Sequence, residues 1–288
     1  MPKKATNPAE KRTWSQLLRV DPDHLELSAL DTRATPGFDG GKSDGRAALQ
    51  ALEPAIDELQ ERLYAHGRTG GHRRLLLVLQ GMDTSGKGGT MRKTVGLMDP
   101  QGVSIRAFGA PTPEERRRGF LWRIRQALPR PGQVGVFDRS HYEDVLAARV
   151  RKLSTPDVIE RRYAAINAFE AELVESGCSV LKVMLHISRA EQKERLGERL
   201  ENPEKHWKYA PSDLADRALW DEYQHAYELA LSRCHTDAAP WHVVPADRKW
   251  YRNLAVAHLV VDRLRAMDLD WPPADFDVAA ERAKLRAS

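Results

Sequence analysis

The sequence predicts an α/β fold in which a five-stranded parallel sheet forms the middle of three layers, with helices on both faces. Three observations indicate this fold. Five short apolar runs have the length and composition of strands that are buried on both faces. Stretches with helical periodicity separate the runs, as crossovers between parallel strands require. A glycine-rich segment joins the first run to the helix after it, which is the usual place of a phosphate-binding loop.

Composition limits the class of protein. The chain has 288 residues, 41% of them apolar and 30% charged, which suits a large α/β domain and excludes collagen, coiled coil or bulk disorder. The longest aliphatic run, Leu75 to Leu79, is far shorter than the ~18 residues of a membrane span, and the polar N-terminus predicts no signal peptide. Cys178 and Cys234 lack the spacing of a zinc site or a disulfide framework, so we expect inert thiols in the cytoplasm. A pI near 9.0 suits an anionic partner.

The elements follow in order along the chain. Residues 1–45 contain proline and glycine without apolar periodicity, and we expect an N-terminal arm that lies on or near the domain. Residues 46–272 are the predicted domain, which opens with an amphipathic helix over Ala47–His66. Residues 273–288 are predicted to be a loosely held C-terminal tail. Strands are predicted over 73–80, 102–108, 133–138, 179–186 and 241–246, and helices over 86–98, 113–127, 141–176 (two helices), 189–202, 213–234 and 250–268.

The segment after the first strand has the spacing of a phosphate-binding loop, GMDTSGKGGT over residues 81–90. Glycines let successive backbone N–H groups point at one anion, and Lys87 adds a mobile positive charge. Asp83 would be repelled by bound phosphate unless a cation lay between them, so it indicates a Mg²⁺ ligand. The alternative is that Asp83 only stabilises a turn. The phosphate contacts of the loop are predicted at Gly86, Gly88, Gly89 and Thr90.

The third strand ends in a pair of charged residues, Asp138 and Arg139. An apolar strand that finishes in aspartate is the Walker B arrangement, which predicts a second Mg²⁺ ligand beside the phosphate loop. Arg139 is placed to contact a transferring phosphoryl group. The alternative is that the two residues form a local ion pair.

Positive charge is dense in two further regions. Between Arg106 and Arg130, seven arginines stand against two glutamates, and Arg123 lies in a stretch apolar enough to turn inward. A helix and polar excursion over 189–213 are predicted to form a lid, because a kinase has to close cations over its donor and exclude water. The alternative is i,i+4 pairing with glutamates of the same helix. The predicted lid cations are Arg195, Arg199, Lys205 and Lys208.

Six sequence blocks occur together in the order found in the polyphosphate kinase 2 family, and the chain resembles that family over roughly residues 36–272. The blocks are GMDTSGKGGT (81–90), PQGV (100–103), FLWR (120–123), FDRSHYEDVL (137–146), NPEKHWK (202–208) and WYRN (250–253). The resemblance implies a P-loop kinase fold similar to that of thymidylate kinases. It implies catalytic roles for Asp83, Lys87, Asp138, Arg139 and Arg199, metal binding by the two aspartates, and nucleotide binding by Arg123, His141, Tyr142, Glu143 and Asp144.

The resemblance also implies an activity, namely reversible transfer of a terminal phosphate from inorganic polyphosphate to ADP with Mg²⁺ or Mn²⁺. The block SHYED (140–144) resembles the class III branch, whose members use AMP and ADP, but some of them have Asn at the position of Asp138. AMP therefore stays open as a second acceptor. The implied partners are polyphosphate, ADP, AMP and ATP, with no membrane or nucleic acid, in a homo-oligomer (dimer or tetramer).

Two other functions stay open. One is an ATP-dependent nucleoside monophosphate kinase, which differs in its phosphate donor. The other is a non-catalytic binding protein for polyphosphate or nucleic acid that uses the basic face. The carboxylates of Asp83 and Asp138 argue against this binding protein, because without a metal they repel a polyanion.

Overall fold

A computed structural model describes residues 12–288, and its centre is a parallel sheet. The strands are β1 (Arg74–Gln80), β2 (Val103–Ala107), β3 (Val134–Asp138), β4 (Cys178–His186) and β5 (Trp241–Pro245). Their order across the sheet is β2-β3-β1-β4-β5, and every neighbouring pair is parallel. The predicted α/β class and five-stranded parallel sheet are therefore confirmed.

Helices cover both faces of the sheet. They are α1 (Trp14–Leu18), α2 (Lys42–Ala51), α3 (Glu53–Arg68), α4 (Lys87–Thr94), α5 (Pro113–Arg116), α6 (Trp122–Gln126), α7 (Ala147–Val150), α8 (Pro156–Glu175), α9 (Arg189–Glu201), α10 (Ser212–Ala218), α11 (Trp220–Arg233), α12 (Lys249–Arg265) and α13 (Val278–Ala287). One layer contains α12 packed against α1 to α4, and the other contains α7, α8 and α11. Within residues 12–288, no helix combines the length and the apolar character needed to cross a membrane.

Several predicted helices are divided in the structure. The single helix predicted over Ala47–His66 is wrong, because α2 ends at Ala51 and α3 begins at Glu53, with Pro54 in its first turn. The stretches 113–127 and 213–234 each contain two helices, α5 with α6 and α10 with α11. Periodicity alone does not reveal these breaks, since both halves keep an apolar face toward the same core.

The N-terminal segment packs onto the domain. Val20 N–H donates to Trp241 O at 3.0 Å, and Arg19 forms an antiparallel bridge with His242, so the segment extends the sheet beside β5. Tyr251 Oη donates to Pro36 O at 2.8 Å, which ties the following loop to α12. Residues 1–11 of the predicted arm lie outside the described residues. Helix α2 runs through the predicted arm boundary at residue 45, and the predicted tail contains the exposed helix α13.

The site lies where β1 meets its two neighbours. β1 is buried along nearly its whole length, with β3 on one side and β4 on the other. The chain reaches β3 and β4 by crossovers to opposite sides of β1, so the strand order reverses there. Ligands of open α/β sheets bind at the carboxyl end of such a position.

Candidate active site

The loop from Gly81 to Thr90 connects β1 with α4 through two glycines in left-handed conformations. Gly81 has φ of 146°, and Gly86 has φ of 107° at the N-cap of α4. Both values strain any residue with a Cβ atom. Lys87 is buried, and its Nζ donates to Gly81 O at 2.8 Å, so the lysine closes the loop on itself. The result is a curled backbone at a helix N-terminus, which is suited to an anion.

Two buried arginines clamp the loop from outside. Arg195 on α9 donates to the carbonyls of Thr84 and Ser85 at 2.8 and 3.2 Å. Its second Nη donates to the carbonyls of Ala246 and Asp247 at 2.7 and 3.0 Å. Arg195 therefore ties the phosphate loop to the segment that follows β5. The second clamp is Arg252 on α12, which also donates to Ser85 O, at 3.2 Å.

Two carboxylates belong to this region, Asp83 within the loop and Asp138 at the end of β3. In the sheet register Asp138 at the end of β3 pairs with Leu79 of β1, four positions before Asp83 in the chain. Arg139 turns into the left-handed region with φ of 64°, and its Nη2 donates to Asp83 Oδ1 at 3.1 Å. Burial works to lower the pKa of Arg139, but the charges of Glu143 and Asp83 outweigh it and raise the pKa. Burial raises the pKa of Glu143, against the opposing effect of Arg139 and Lys87.

A cavity of about 790 Å³ opens next to Asp83 and Arg139. Arginines and acidic side chains line it together with aromatic residues, so the cavity is highly charged. Arg123 is anchored here, because Nη1 donates to Gly109 O at 2.9 Å and the guanidinium lies 5.6 Å from the centre of the Phe108 ring. Arg162 lies 5.3 Å from the centre of the Phe120 ring. The other arginines of the lining are Arg116, Arg118 and Arg151.

Comparison with known proteins gives the family. The profile of the family "Polyphosphate kinase 2 (PPK2)" matches residues 40–272, which is most of the chain. The chain belongs to the polyphosphate kinase 2 family. The family predicted from the six sequence blocks is therefore confirmed.

Relatives cover almost the whole chain. An "AMP/ADP-polyphosphate phosphotransferase" of Meiothermus ruber is 46% identical over 255 residues, which are 88% of this chain and 94% of the relative. An "ADP-polyphosphate phosphotransferase" of Rhodopseudomonas palustris is 32% identical over 266 residues, 87% of this chain and 89% of the relative. The crystal structure of polyphosphate kinase 2 from Arthrobacter aurescens TC1 superposes with a TM-score of 0.94 at 53% identity, covering 96% of this chain and 98% of that one.

The two predicted metal ligands fit a metal that draws most of its ligands from elsewhere. Within residues 12–288, no group of three or more His, Cys, Asp or Glu side chains is arranged to hold a metal ion. The described residues offer the half-buried Asp138 carboxylate no hydrogen-bond donor or cation, while Asp83 already has Arg139 on one oxygen. Mg²⁺ commonly takes one or two carboxylates and fills its other positions with water and substrate phosphate. Asp83 and Asp138 therefore fit such a cation with phosphate present.

The SHYED block divides between the core and the cavity. His141 and Tyr142 were predicted to bind nucleotide, but both are fully buried and hydrogen-bond Glu170 Oε1 at 3.2 and 2.8 Å. The Glu170 carboxylate is itself bound by Lys182 at 2.6 Å, so this network belongs to the core between α8 and β4. The structure thus corrects the two predictions, because a side chain without exposed surface cannot contact a ligand in this conformation. Glu143 and Asp144 do line the cavity, as does Arg123.

The predicted lid cations do not act alike. Arg195 was predicted to bind phosphate, but its five hydrogen bonds go to four backbone carbonyls and Glu191, so it supports the loop instead. The first half of α9 is therefore part of the loop's scaffold. Arg199 donates to Lys208 O at 2.8 Å and pairs with Asp213 at 3.3 Å, while Lys205 lies 3.6 Å from Glu198. Lys208 Nζ lies 4.9 Å from the centre of the exposed Trp207 ring.

Some lining residues carry no signal in the sequence. Arg151 lies in the loop before α8 and Arg162 lies in α8, while Tyr223 and Tyr227 lie in α11. An arginine or tyrosine on an amphipathic helix reads as a boundary residue between core and solvent. Only the packing of α8 and α11 beside the loop reveals that these side chains share one cavity. Conversely, Lys87, Asp138 and Arg199 lie outside the lining of this cavity.

Proposed function

We propose that this chain transfers the terminal phosphate of inorganic polyphosphate to ADP, in a reversible reaction, and that AMP is a second acceptor. One observation supports the proposal most strongly. A closed phosphate loop whose Asp83 lines an arginine-lined cavity of about 790 Å³ lies beside the strand that ends in Asp138, which leaves space for a nucleotide beside a phosphate chain. The Meiothermus ruber relative, at 46% identity, is named for phosphate transfer between polyphosphate and these two nucleotides.

The proposed chemistry is an in-line displacement between two anions. A terminal phosphate oxygen of the acceptor attacks the terminal phosphorus of the polyphosphate chain. A new P–O bond forms, the bond to the penultimate phosphate breaks, and the shortened chain leaves as an anion. One phosphoanhydride replaces another when ADP is the acceptor, so the reaction runs in both directions. The acceptor oxygen is already ionised near neutral pH, so the protein's main task is to position the groups and offset their repulsion.

Positive side chains at the loop supply much of that offset. Lys87 and Arg139 are proposed to neutralise charge on the transferring group, since charge-matched donors fixed in advance stabilise a transition state. Asp83 and Asp138 are proposed to hold Mg²⁺ or Mn²⁺, which when bound shields the phosphate oxygens from one another. Asp83 also holds Arg139 at 3.1 Å, so the same carboxylate orients the arginine toward the loop.

The cavity is proposed as the acceptor site. Phe108 and Phe120 line it, and Arg123 and Arg162 lie against these two rings. Arg162 Nη1 also donates to Asp144 O at 2.8 Å, which fixes the turn that carries Glu143 and Asp144. Carboxylates in this turn suit recognition of nucleotide N–H or ribose O–H groups, whereas the arginines suit its phosphates.

The second half of α9 and the segment after it are proposed as the closing lid. Arg199, Lys205 and Lys208 lie beyond the part of α9 that Arg195 fixes to the loop. Lys205 pairs with the partly exposed Glu198, which a polyphosphate chain can replace as its counter-ion, whereas Arg199 pairs with the buried Asp213 and has to leave it on closure. Closure would bring these cations to the donor and exclude water.

ATP formation from long-chain polyphosphate with Mg²⁺ tests the proposal, with ADP and AMP as separate acceptors and a chelator as control. We expect ATP from ADP, ADP followed by ATP from AMP, and no product once the metal is removed. Product from ADP alone would remove AMP from the proposal. Activity only when ATP replaces polyphosphate would show a nucleoside monophosphate kinase instead. Metal-independent, salt-sensitive binding to DNA without transfer would show a binding protein.

We further propose that the enzyme is a homo-oligomer, dimer or tetramer. Strand β2 lies at the edge of the sheet, and among the described residues only β3 pairs with it. The side chain of Ile105 on this strand is 58% exposed. Unpaired, partly apolar sheet edges favour contact with another chain. Light scattering after size exclusion gives the mass directly, and a monomer at micromolar concentration would contradict the proposal.

A further inference from the structure

Arg252 is a buried cation directly behind the phosphate loop. It lies in the first turns of α12 and is only 3% exposed. Its Nη1 donates to Ser85 O at 3.2 Å, while Nε and Nη2 donate to Asn253 Oδ1 at 3.2 and 2.8 Å. All its hydrogen-bond acceptors are neutral, so the guanidinium is satisfied in hydrogen bonding but not in charge.

The charges around Arg252 in the described part of the chain include no directly paired counter-ion. Among residues 12–288, no carboxylate oxygen lies within 4 Å of its guanidinium, whereas the neighbouring Arg195 is paired with Glu191 at 2.8 Å. Arg195 and Arg252 both donate to Ser85 O, so two like charges meet at one carbonyl. Burial and then the charge of Arg195 lower the pKa of Arg252 to about 9, against a smaller opposing effect of Glu191, whose carboxylate is bound by Arg195. An uncompensated buried charge is unfavourable unless an anion binds nearby.

The loop is shaped to fit this guanidinium. A Cβ atom on Gly86 would lie 1.7 Å from Arg252 Nη1, and one on Gly89 would lie 2.9 Å from Nη2. By contrast, a Cβ on Gly88, between them in the chain, would meet nothing within 4 Å. The glycines at 86 and 89 therefore leave the space that the arginine fills, in addition to freeing the backbone at Gly86.

We infer that Arg252 is a positioning residue for phosphate binding, which holds the loop through Ser85 and places a permanent positive charge behind it. The inference rests on the proposed function in one respect, that the loop binds a phosphate chain. Arg252 itself is enclosed and acts through the loop. A phosphate anion held there supplies a counter-charge that no residue of 12–288 provides by a direct ion pair, so anion binding and the charge of Arg252 stabilise each other.

This role differs from a purely structural one in its effect on the free protein. Arg252→Met removes a buried charge of unfavourable environment, and Ser85 O keeps its hydrogen bond from Arg195. We therefore expect the thermal stability of the free variant to stay close to wild type. Its affinity for phosphate chains should fall, because the potential behind the loop is lost. Arg252→Lys keeps the charge without the planar fork, so it should keep most of the affinity.

The test is calorimetric titration with tripolyphosphate and Mg²⁺ in the absence of nucleotide, combined with thermal unfolding of free and saturated protein. We expect Arg252→Met to raise the Kd about tenfold or more and to shrink the ligand-induced rise in Tm. Arg252→Lys should stay within about threefold of wild type. Arg265→Met is the matched control, because this exposed arginine lies at the far end of the same helix.

Other results would overturn the inference. An Arg252→Met variant that binds tripolyphosphate as tightly as wild type would do so. Equal losses of Tm with and without ligand would show a structural role instead. If Arg252→Met fails to fold, an Arg252→Lys variant whose Kd for tripolyphosphate rises well beyond about threefold would overturn the inference. Wild type that fails to bind tripolyphosphate would also overturn it. Failure of the proposed function is read separately, as tight binding by wild type without phosphoryl transfer to ADP.

Discussion

Arg195 should be a stability residue of the phosphate loop, and Arg195→Met is the substitution that shows it. The side chain is 6% exposed and donates five hydrogen bonds, four of them to backbone carbonyls and one to Glu191. Because these bonds join the loop to α9 and to the end of β5, their loss should loosen the loop in the free protein. A residue that only contacts substrate would leave the free protein unchanged.

The magnitude follows from the count of bonds. Hydrogen bonds to a charged group each contribute about 1.5–3 kcal/mol net, but desolvation of the buried guanidinium offsets much of their sum. Breaking a buried charged network by removing one partner costs about 3–5 kcal/mol, and we expect Arg195→Met in this range. Arg195→Lys keeps the charge and fewer bonds, so about 1–3 kcal/mol is expected.

The assay is urea unfolding of the protein without ligands, followed by phosphoryl transfer over a range of polyphosphate concentrations, which gives the affinity. Lys193→Met is the control, since this exposed residue lies on the same helix two positions earlier. A loss below about 1 kcal/mol in Arg195→Met would refute the reasoning. If Arg195→Met keeps its stability but binds polyphosphate much more weakly, Arg195 contacts phosphate directly, as the sequence predicted.

Three further predictions follow from the same geometry. Lys87→Met should lower kcat about 10²–10³-fold in the ATP-forming assay, since it removes a charge at the transferring group, and near wild-type turnover would contradict this. Gly86→Ala should destabilise the protein by about 2–4 kcal/mol in urea unfolding, because φ is 107° and the added Cβ would meet the Arg252 guanidinium. Gly88→Ala is its control and should be neutral or stabilise by up to about 1 kcal/mol, because a Cβ there meets nothing within 4 Å. Burial opposes ionisation of Glu170, but the charge of Lys182 outweighs this effect and lowers the pKa of Glu170. The free energy of unfolding should therefore fall as the pH drops below the ordinary glutamate range. In a series of unfolding measurements at acid pH, Glu170→Gln should flatten that slope.

The strands were predictable because each carries its own signal. The run Arg74–Gln80 is apolar at nearly every position, as a strand needs when both its faces are covered, and the prediction began only one residue earlier. Helix divisions were not predictable, since the halves of a broken amphipathic stretch keep the same periodicity. The helix predicted from Ala47 divides at Leu52, because Pro54, two residues later, fits the first turn of a new helix but not the interior of a continuous one.

The site was predictable where local spacing determines the chemistry. Gly81, Gly86 and Lys87 form a closed loop because their spacing, backbone freedom and helix position are properties of adjacent residues. The SHYED block shows the limit of such inference. His141 and Glu143 are two positions apart, yet the first is enclosed by Glu170 and Phe169 while the second lines the cavity. Nothing in the block itself records which side faces the core.

The sequence by itself therefore determined the α/β class, the parallel sheet, the phosphate loop and the family, because strand periodicity and motif spacing are encoded over a few neighbouring residues. Only the tertiary structure decided the partners of charged side chains. Arg195 and Arg252 look like two more cations in an arginine-rich chain, but Arg195 is tied to four carbonyls, and Arg252 has no ion-pair partner among residues 12–288. The difference arises because α9 and α12, which are distant in sequence, pack against the same loop. Burial there strengthens the interaction of each charge with its neighbours.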